Sequence, residues 1–228
     1  MIKLSRFYRS LPAVALSLLA AASLQAQNYN EIGDAGSSFG TGQATGGTSG
    51  QTLTSISGLL GNLSDGDFYF ITIGSPVTFS ATTVNGSTSV DTMLYLFDMF
   101  GNAVFLNDDA ASGTSLQSTL PAGSMFGPLA PGTYILGISL TGVDPINLFN
   151  QRMFANGNFS TDVRGPAIGA PGPVGGVSNS GLATQAGTYL ITLTGAQTSA
   201  VPEPGVVALF GLGAVGTLVL LRRRRPRA

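Results

Sequence analysis

Between residues 27 and 200 the chain contains no cysteine, no histidine and no lysine, which narrows its chemistry before any pattern is considered. The Ser/His, Cys/His and Ser/Lys nucleophile pairings are closed to it, and so are histidine-based zinc sites. What remains is carboxylate chemistry. Asp65 and Asp67 stand two apart, so on an extended strand they share a face, while Asp91, Asp98, Asn107, Asp108 and Asp109 bracket a hairpin-like stretch. A glycoside hydrolase needs two carboxyl groups held about 5 to 9 Å apart across a cleft. The aspartates sit in turn contexts, mostly beside Gly or Asn, the ordinary setting of a solvated loop acid. The chain is therefore read as a non-enzyme, with a carboxylate-dependent glycoside hydrolase as the remaining enzymatic alternative. Calcium suits these residues better, because it takes about six to eight oxygen ligands at about 2.3 to 2.6 Å from carboxylates, amides and backbone carbonyls in flexible turns. The first choices as ligands are Asp65, Asp67, Asp108 and Asp109; the competing explanation is an acidic surface that keeps the protein soluble. Phe100, Phe126, Phe149 and Phe154 offer rings for stacking on sugars or for loop packing, and Asn62, Asn85 and Asn158 fit a glycosylation pattern that Ser and Thr content produces by chance.

Strands must position these groups. From Leu53 onward the apolar pattern has period two: in DFYFITI, Phe68 and Phe70 oppose Tyr69, Ile71 and Ile73, and in VTFSATTV, Val77, Phe79 and Ala81 share a face. Residues 92–98 alternate Met93, Tyr95 and Phe97 against Leu94 and Leu96, so both faces are apolar and a central strand covered on two sides is expected. Residues 103–107 return as its hairpin partner after a turn at Gly101. Two stretches echo each other, PGTYILGISLTG and AGTYLITLTGA, aligning Tyr134, Leu136 and Ile138 in one and Tyr189, Ile191 and Leu193 in the other. They read as two strands in similar environments. Seven or eight short strands with regular turn signals predict an all-β fold, an antiparallel β-sandwich of jelly-roll or Ig-like type. Residues 27–52 read as a flexible Gly-rich arm and residues 53–200 as the sandwich, with a Gly/Pro-rich loop at 143–185 expected to be a binding loop or a flap.

The two ends carry different information. Residues 1–26 have the parts of a secretory signal: basic Lys3, Arg6 and Arg9, an apolar run forming a signal helix, and small residues around Ala26, with Gln27 as the expected mature start. Near the other end, residues 206–221 are uncharged and would form a single transmembrane helix of roughly 24 Å against a hydrocarbon core of about 30 Å. Arg222, Arg223, Arg224 and Arg225 follow at once and hold that end in the cytoplasm by the positive-inside rule. Pro202 and Pro204 donate no backbone hydrogen bonds, which leaves Glu203 in an extended, exposed hinge.

Val201, Pro202, Glu203 and Pro204, the short apolar segment and the arginine cluster resemble the PEP-CTERM sorting signal of Gram-negative bacteria. The resemblance implies recognition of residues 201–228 by an exosortase, a membrane-embedded cysteine transpeptidase-like protease, with release or transfer to the cell surface or extracellular matrix. A second resemblance covers about half the chain: SDGDFYFITI, DTMLYLFDMFGNAVFLNDDA, LPAG and PGTYILGISL follow the motif order of bacterial pre-peptidase C-terminal domains, small β-sandwiches appended to secreted enzymes. The long 143–185 stretch and the lack of an accompanying enzyme module depart from that family.

Charge separates the body from its ends. Eight of the ten basic residues lie in the signal and the tail, leaving Arg152 and Arg164 against ten acidic groups in residues 27–200, a net charge of about −8. Such a body repels nucleic acid and favours divalent cations. The partners expected are the Sec translocon and signal peptidase, an exosortase, the membrane through the tail, and extracellular polysaccharide. The expected route is transient anchoring in the inner membrane with the body in the periplasm, then the cell surface or beyond. The leading reading is a non-enzymatic surface or matrix protein, and the alternative is a calcium-assisted polysaccharide-binding module.

Overall fold

The strand Gly66–Ile73 is apolar on both of its faces, and burying both determines how the rest of the chain is arranged. The computed structural model describes residues 26–46, 50–84, 87–110, 115–156, 162–169 and 172–200. Thirteen strands run through these residues: β1 (Gln27–Asn30), β2 (Gln43–Ala44), β3 (Leu53–Leu60), β4 (Gly66–Ile73), β5 (Ser80–Thr82), β6 (Thr92–Asp98), β7 (Ala103–Asn107), β8 (Thr119–Leu120), β9 (Gly132–Leu140), β10 (Val143–Asn147), β11 (Val174–Asn179), β12 (Gly187–Thr194) and β13 (Ala196–Thr198). No helix occurs among the described residues, and none there is long and apolar enough to cross a membrane. The signal helix, the transmembrane helix, and the acceptor sites at Asn85 and Asn158 all lie outside the described residues.

The first sheet has the order β1-β3-β12-β5-β8, the second β13-β4-β9-β6-β7 with β2 also beside β4, and β10 pairs with β11 in a small third sheet. The first two sheets face each other in a sandwich-like arrangement. Leu53, Ile56, Ile191 and Leu193 of one meet Tyr69, Ile71, Leu94, Leu136 and Ile138 of the other in the inner core. The echoing Gly-Thr-Tyr stretches are β9 and β12, which contribute Tyr134, Leu136, Ile138, Tyr189, Ile191 and Leu193 to this same core from opposite sheets. The hairpin of β6 and β7 forms as its pattern requires, and β6 sits between β7 and β9 with both faces buried.

The alternate residues of β4, β6 and β9 point away from this core. Phe68, Phe70, Met93, Tyr95, Phe97 and Ile135 form a second, outer cluster, which Met153, Phe154 and Val174 cover. Leaving that face wet would forgo about 1.5 to 3 kcal/mol for each large side chain, which is the physical reason the Gly/Pro-rich stretch folds back over it. Residues 143–185 are thus a correction to the expected loop or flap: their described parts include β10 and β11, paired antiparallel, and short bridges joining Phe154 to Pro166 and Leu106 to Arg164. Within the outer layer, Tyr95 lies directly over Gly137 of β9, where a Cβ would overlap the tyrosine ring edge.

The segment read as a flexible arm is also integrated. β1 pairs in parallel with β3 and β2 in parallel with β4, so the sheets are mixed and not purely antiparallel. Ala35 is fully buried, and buried Thr45 donates its hydroxyl to the Phe70 carbonyl at 2.8 Å. Edge pairing through backbone hydrogen bonds needs no apolar periodicity, which is why this segment looked featureless. In VTFSATTV only Ser80–Thr82 is strand; Val77 is 78% exposed in a turn closed from Thr78 N to the Ser75 carbonyl, while Phe79 and Ala81 are buried as the pattern suggested.

Candidate functional site

Asp67 lies near the start of β4 with its side chain on the inner side of the sheet, the same side as Tyr69. It has no exposed surface. Across the sandwich, Tyr189 of β12 donates its hydroxyl to Asp67 Oδ2 at 2.7 Å and is itself hydrogen-bonded to the Tyr69 hydroxyl. Each phenol has one proton, so the chain of donation runs from Tyr69 to Tyr189 to Asp67. Asp67 Oδ1 is buried and has no hydrogen-bond partner.

The turn after β1 brings two more carboxylates to the same place. Glu31 Oε1 accepts the Ala35 amide at 2.9 Å and its Oε2 accepts the Leu59 amide at 2.8 Å, which ties the turn to β3. Asp34 Oδ1 accepts the Gly36 amide at 2.9 Å. Glu31, Asp34 and Asp67 each place a carboxylate oxygen within 4.8 Å of the others. Gly58 is what lets them approach, since a Cβ there would strike the Tyr189 hydroxyl and Glu31 Oε2. A surface cleft bordered by Asn30, Glu31, Gly33, Gly58, Leu59 and Tyr189 reaches Glu31, while Asp34 and the buried Asp67 do not line it. Burial is the main cause that pushes the Asp67 carboxyl up to about 8; the Tyr189 hydrogen bond opposes it, and Glu31, Asp65 and Asp34 add to it by charge repulsion. Tyr69 and Tyr189 are raised well above the usual phenol range, again chiefly by burial.

A second acidic group sits at the far side of the second sheet. The Thr141 hydroxyl lies 2.5 Å from Asp91 Oδ1 and 2.7 Å from Asp108 Oδ1. One hydroxyl supplies one proton, so satisfying both contacts requires a proton on one of the two carboxyls. Burial raises Asp108 to about 6, opposed by the Thr141 hydrogen bond and by the Arg164 guanidinium, whose Nη2 is 3.9 Å from Asp108 Oδ2. Asp91 is raised as well, by burial first. Asp91 and Thr141 line a cleft with Gln117 and Leu140, but Asp108 is buried and does not line it.

The four first-choice ligands are therefore not one constellation. Asp67, Ile138, Leu94 and Asn107 occupy one transverse row of the second sheet, so Asp67 is separated from the residue before Asp108 by three strand spacings, about 14 Å. Asp65 is half-buried and accepts the amides of Gly61 at 2.6 Å and Gly66 at 2.9 Å, closing the turn between β3 and β4. Asp109 is half-buried next to Asp108. Asp98 organises the hairpin turn by accepting the amides of Phe100 and Asn102. Asp91 and Asp108, which bracket the hairpin in sequence, both meet Thr141, whereas Glu31 and Asp34 were not among the residues singled out from sequence. Their only signal was two acids three apart around a glycine, Glu31-Ile32-Gly33-Asp34, inside a segment read as loose. Of the loop aromatics, Phe100, Phe126 and Phe149 are exposed whereas Phe154 is buried in the outer cluster.

The described strands end just before Pro202 and Pro204 in sequence. β13 ends at Thr198, whose amide donates to the Gln51 carbonyl at 2.8 Å, and the Ser199 amide donates to Thr45 Oγ1 at 3.1 Å. An all-β body followed at once by an apolar, arginine-capped segment has the layout of a protein sorted by its C-terminal end. Residues 200–225 match the PEP-CTERM protein-sorting motif, in agreement with the resemblance carried by Val201 to Pro204. Those residues, and Arg222 to Arg225 with them, lie outside the described residues. No curated protein matches the chain.

Proposed function

We propose that this chain is an exported, non-enzymatic surface or extracellular-matrix protein, delivered by an exosortase that recognises Val201, Pro202, Glu203 and Pro204. The match at residues 200–225 carries the reading, and it is supported by the position of that segment directly after the last strand. Ser199 is fixed to the sandwich, and in sequence Pro202 follows it by three positions. Residues 1–26 serve as the signal for the Sec translocon and signal peptidase, and residues 206–221 with the arginines halt transfer until the exosortase acts. The body is a sandwich of the pre-peptidase C-terminal type. In support, three motifs of that resemblance fall in β4, β6 and β9, neighbours in one sheet.

Cell fractionation tests the reading. With an epitope placed in the exposed 122–123 turn, the wild-type body is expected at the cell surface or in the medium. The Glu203→Ala and Pro204→Ala variants should accumulate in the inner membrane. An unchanged distribution in both variants, or in a strain lacking the exosortase, would overturn the assignment.

A further inference from the structure

We propose that Glu31, Asp34 and Asp67 form a binding site for a divalent cation of the calcium class, beside Gly58. Three carboxylate oxygens within 4.8 Å of one another gather oxygen ligands in one place, and no cationic side chain among the described residues pairs with them. Residues 27–200 have only two cationic side chains: Arg152 is paired with Asp144 at 2.9 Å, and Arg164 stands beside Asp108. One carboxylate of the three, Asp67, is fully buried and retains an oxygen with no hydrogen-bond partner, which is costly unless something else satisfies it.

The donors are all oxygens, and without any nitrogen or sulfur ligand the set suits a hard cation. Mixed depth and irregular placement, with Asp34 exposed, Glu31 half-buried and Asp67 buried, favour calcium over the strict octahedron of magnesium; water would complete the shell. The carboxylates are already oriented. Tyr189 holds Asp67, the Ala35 and Leu59 amides hold Glu31, and the Gly36 amide holds Asp34. A bound ion would staple the turn after β1 to β4, and so fix the segment holding Glu31 and Asp34 to the sandwich.

The site can be probed with the protein recovered from the producing cells. The chain has no tryptophan, and Tyr189 touches Asp67 while Tyr69 touches Tyr189, so terbium bound here should show tyrosine-sensitised luminescence that calcium displaces. Calcium at roughly a hundredfold above its Kd should raise Tm by about 5–10 °C. Asp34→Asn keeps the side-chain oxygen that accepts the Gly36 amide, so it should leave Tm in chelator unchanged and weaken terbium binding at least about tenfold. Asp67→Asn should abolish binding, and Asp108→Asn should leave it intact. The proposal is overturned if neither terbium emission nor a Tm shift appears up to about 10 mM calcium, a generous limit for extracellular sites. It is equally overturned if Asp34→Asn and Asp67→Asn bind as the wild type does, or if Asp108→Asn alone removes the response.

Discussion

Replacing Gly137 by alanine is the sharpest test of how the outer layer is held. The new Cβ would fall well inside 3.0 Å of Tyr95 Cδ2 and Cε2 and 3.1 Å from Cζ. Restoring ordinary van der Waals contact at about 3.5–4 Å requires the ring to move by roughly 1.5–2 Å. It has nowhere to go, because its centroid lies 5.8 Å from that of Phe68, 5.5 Å from Phe97 and 6.5 Å from Phe154. Interiors packed at crystal density do not yield that much. Overpacking alone costs about 1–3 kcal/mol, and expelling the ring costs about as much as deleting a buried aromatic, 3–5 kcal/mol. Against this stands a gain of roughly 0.5–1 kcal/mol from replacing glycine in a strand. A net loss of about 3 kcal/mol is expected, read as a shift of the urea midpoint at constant slope. In a Tyr95→Ala background the same substitution should be neutral or mildly stabilising, a coupling of about 3 kcal/mol between two residues in contact. A cost under about 1 kcal/mol, or the same cost in both backgrounds, would refute the packing described here.

Two further outcomes follow from the same geometry. Phe154→Ala should cost about 3–5 kcal/mol and expose dye-binding apolar surface, because it uncovers Tyr95 and Phe97; a small cost with no dye binding would mean the 143–185 stretch does not cover the sheet. In chelator, Asp67 and Asp108 keep their protons in the folded state to about pH 8 and about pH 6, whereas unfolded aspartate releases its proton near about pH 3.9. Between those limits the folded state binds more protons than the unfolded one, so Tm should fall as pH rises from about 4 to about 8 and level off above; a Tm that climbs over that range would contradict their burial.

Sequence periodicity revealed the strands that bury two faces. Residues 92–98 read as central, because Met93 against Leu94 leaves no face for water, and residues 66–73 and 132–140 read as strands that the structure buries as deeply. Elements held by backbone pairing were hidden. β1 alternates half-buried and exposed residues, and β10 and β11 carry Pro145, Gly175 and Gly176, which argue against strand on propensity alone. The acidic sites divide in the same way. Asp91 and Asp108 meet across the ends of one hairpin, a local relation that spacing can suggest. Glu31, Asp34 and Asp67 meet only because a parallel edge strand carries the first two residues past β3 to β4. No pattern within a short window encodes that.

The place of β12 sets a clock for export. This strand lies between β3 and β5, so in a chain threaded outward from its N-terminus those two strands wait without a common neighbour until residues 187–194 emerge. By then residue 200 is only a few positions behind. Closure of the sandwich and arrival of the sorting segment at the membrane are thereby made nearly simultaneous, and whatever keeps the emerged chain from sticking to others must act over almost its whole length.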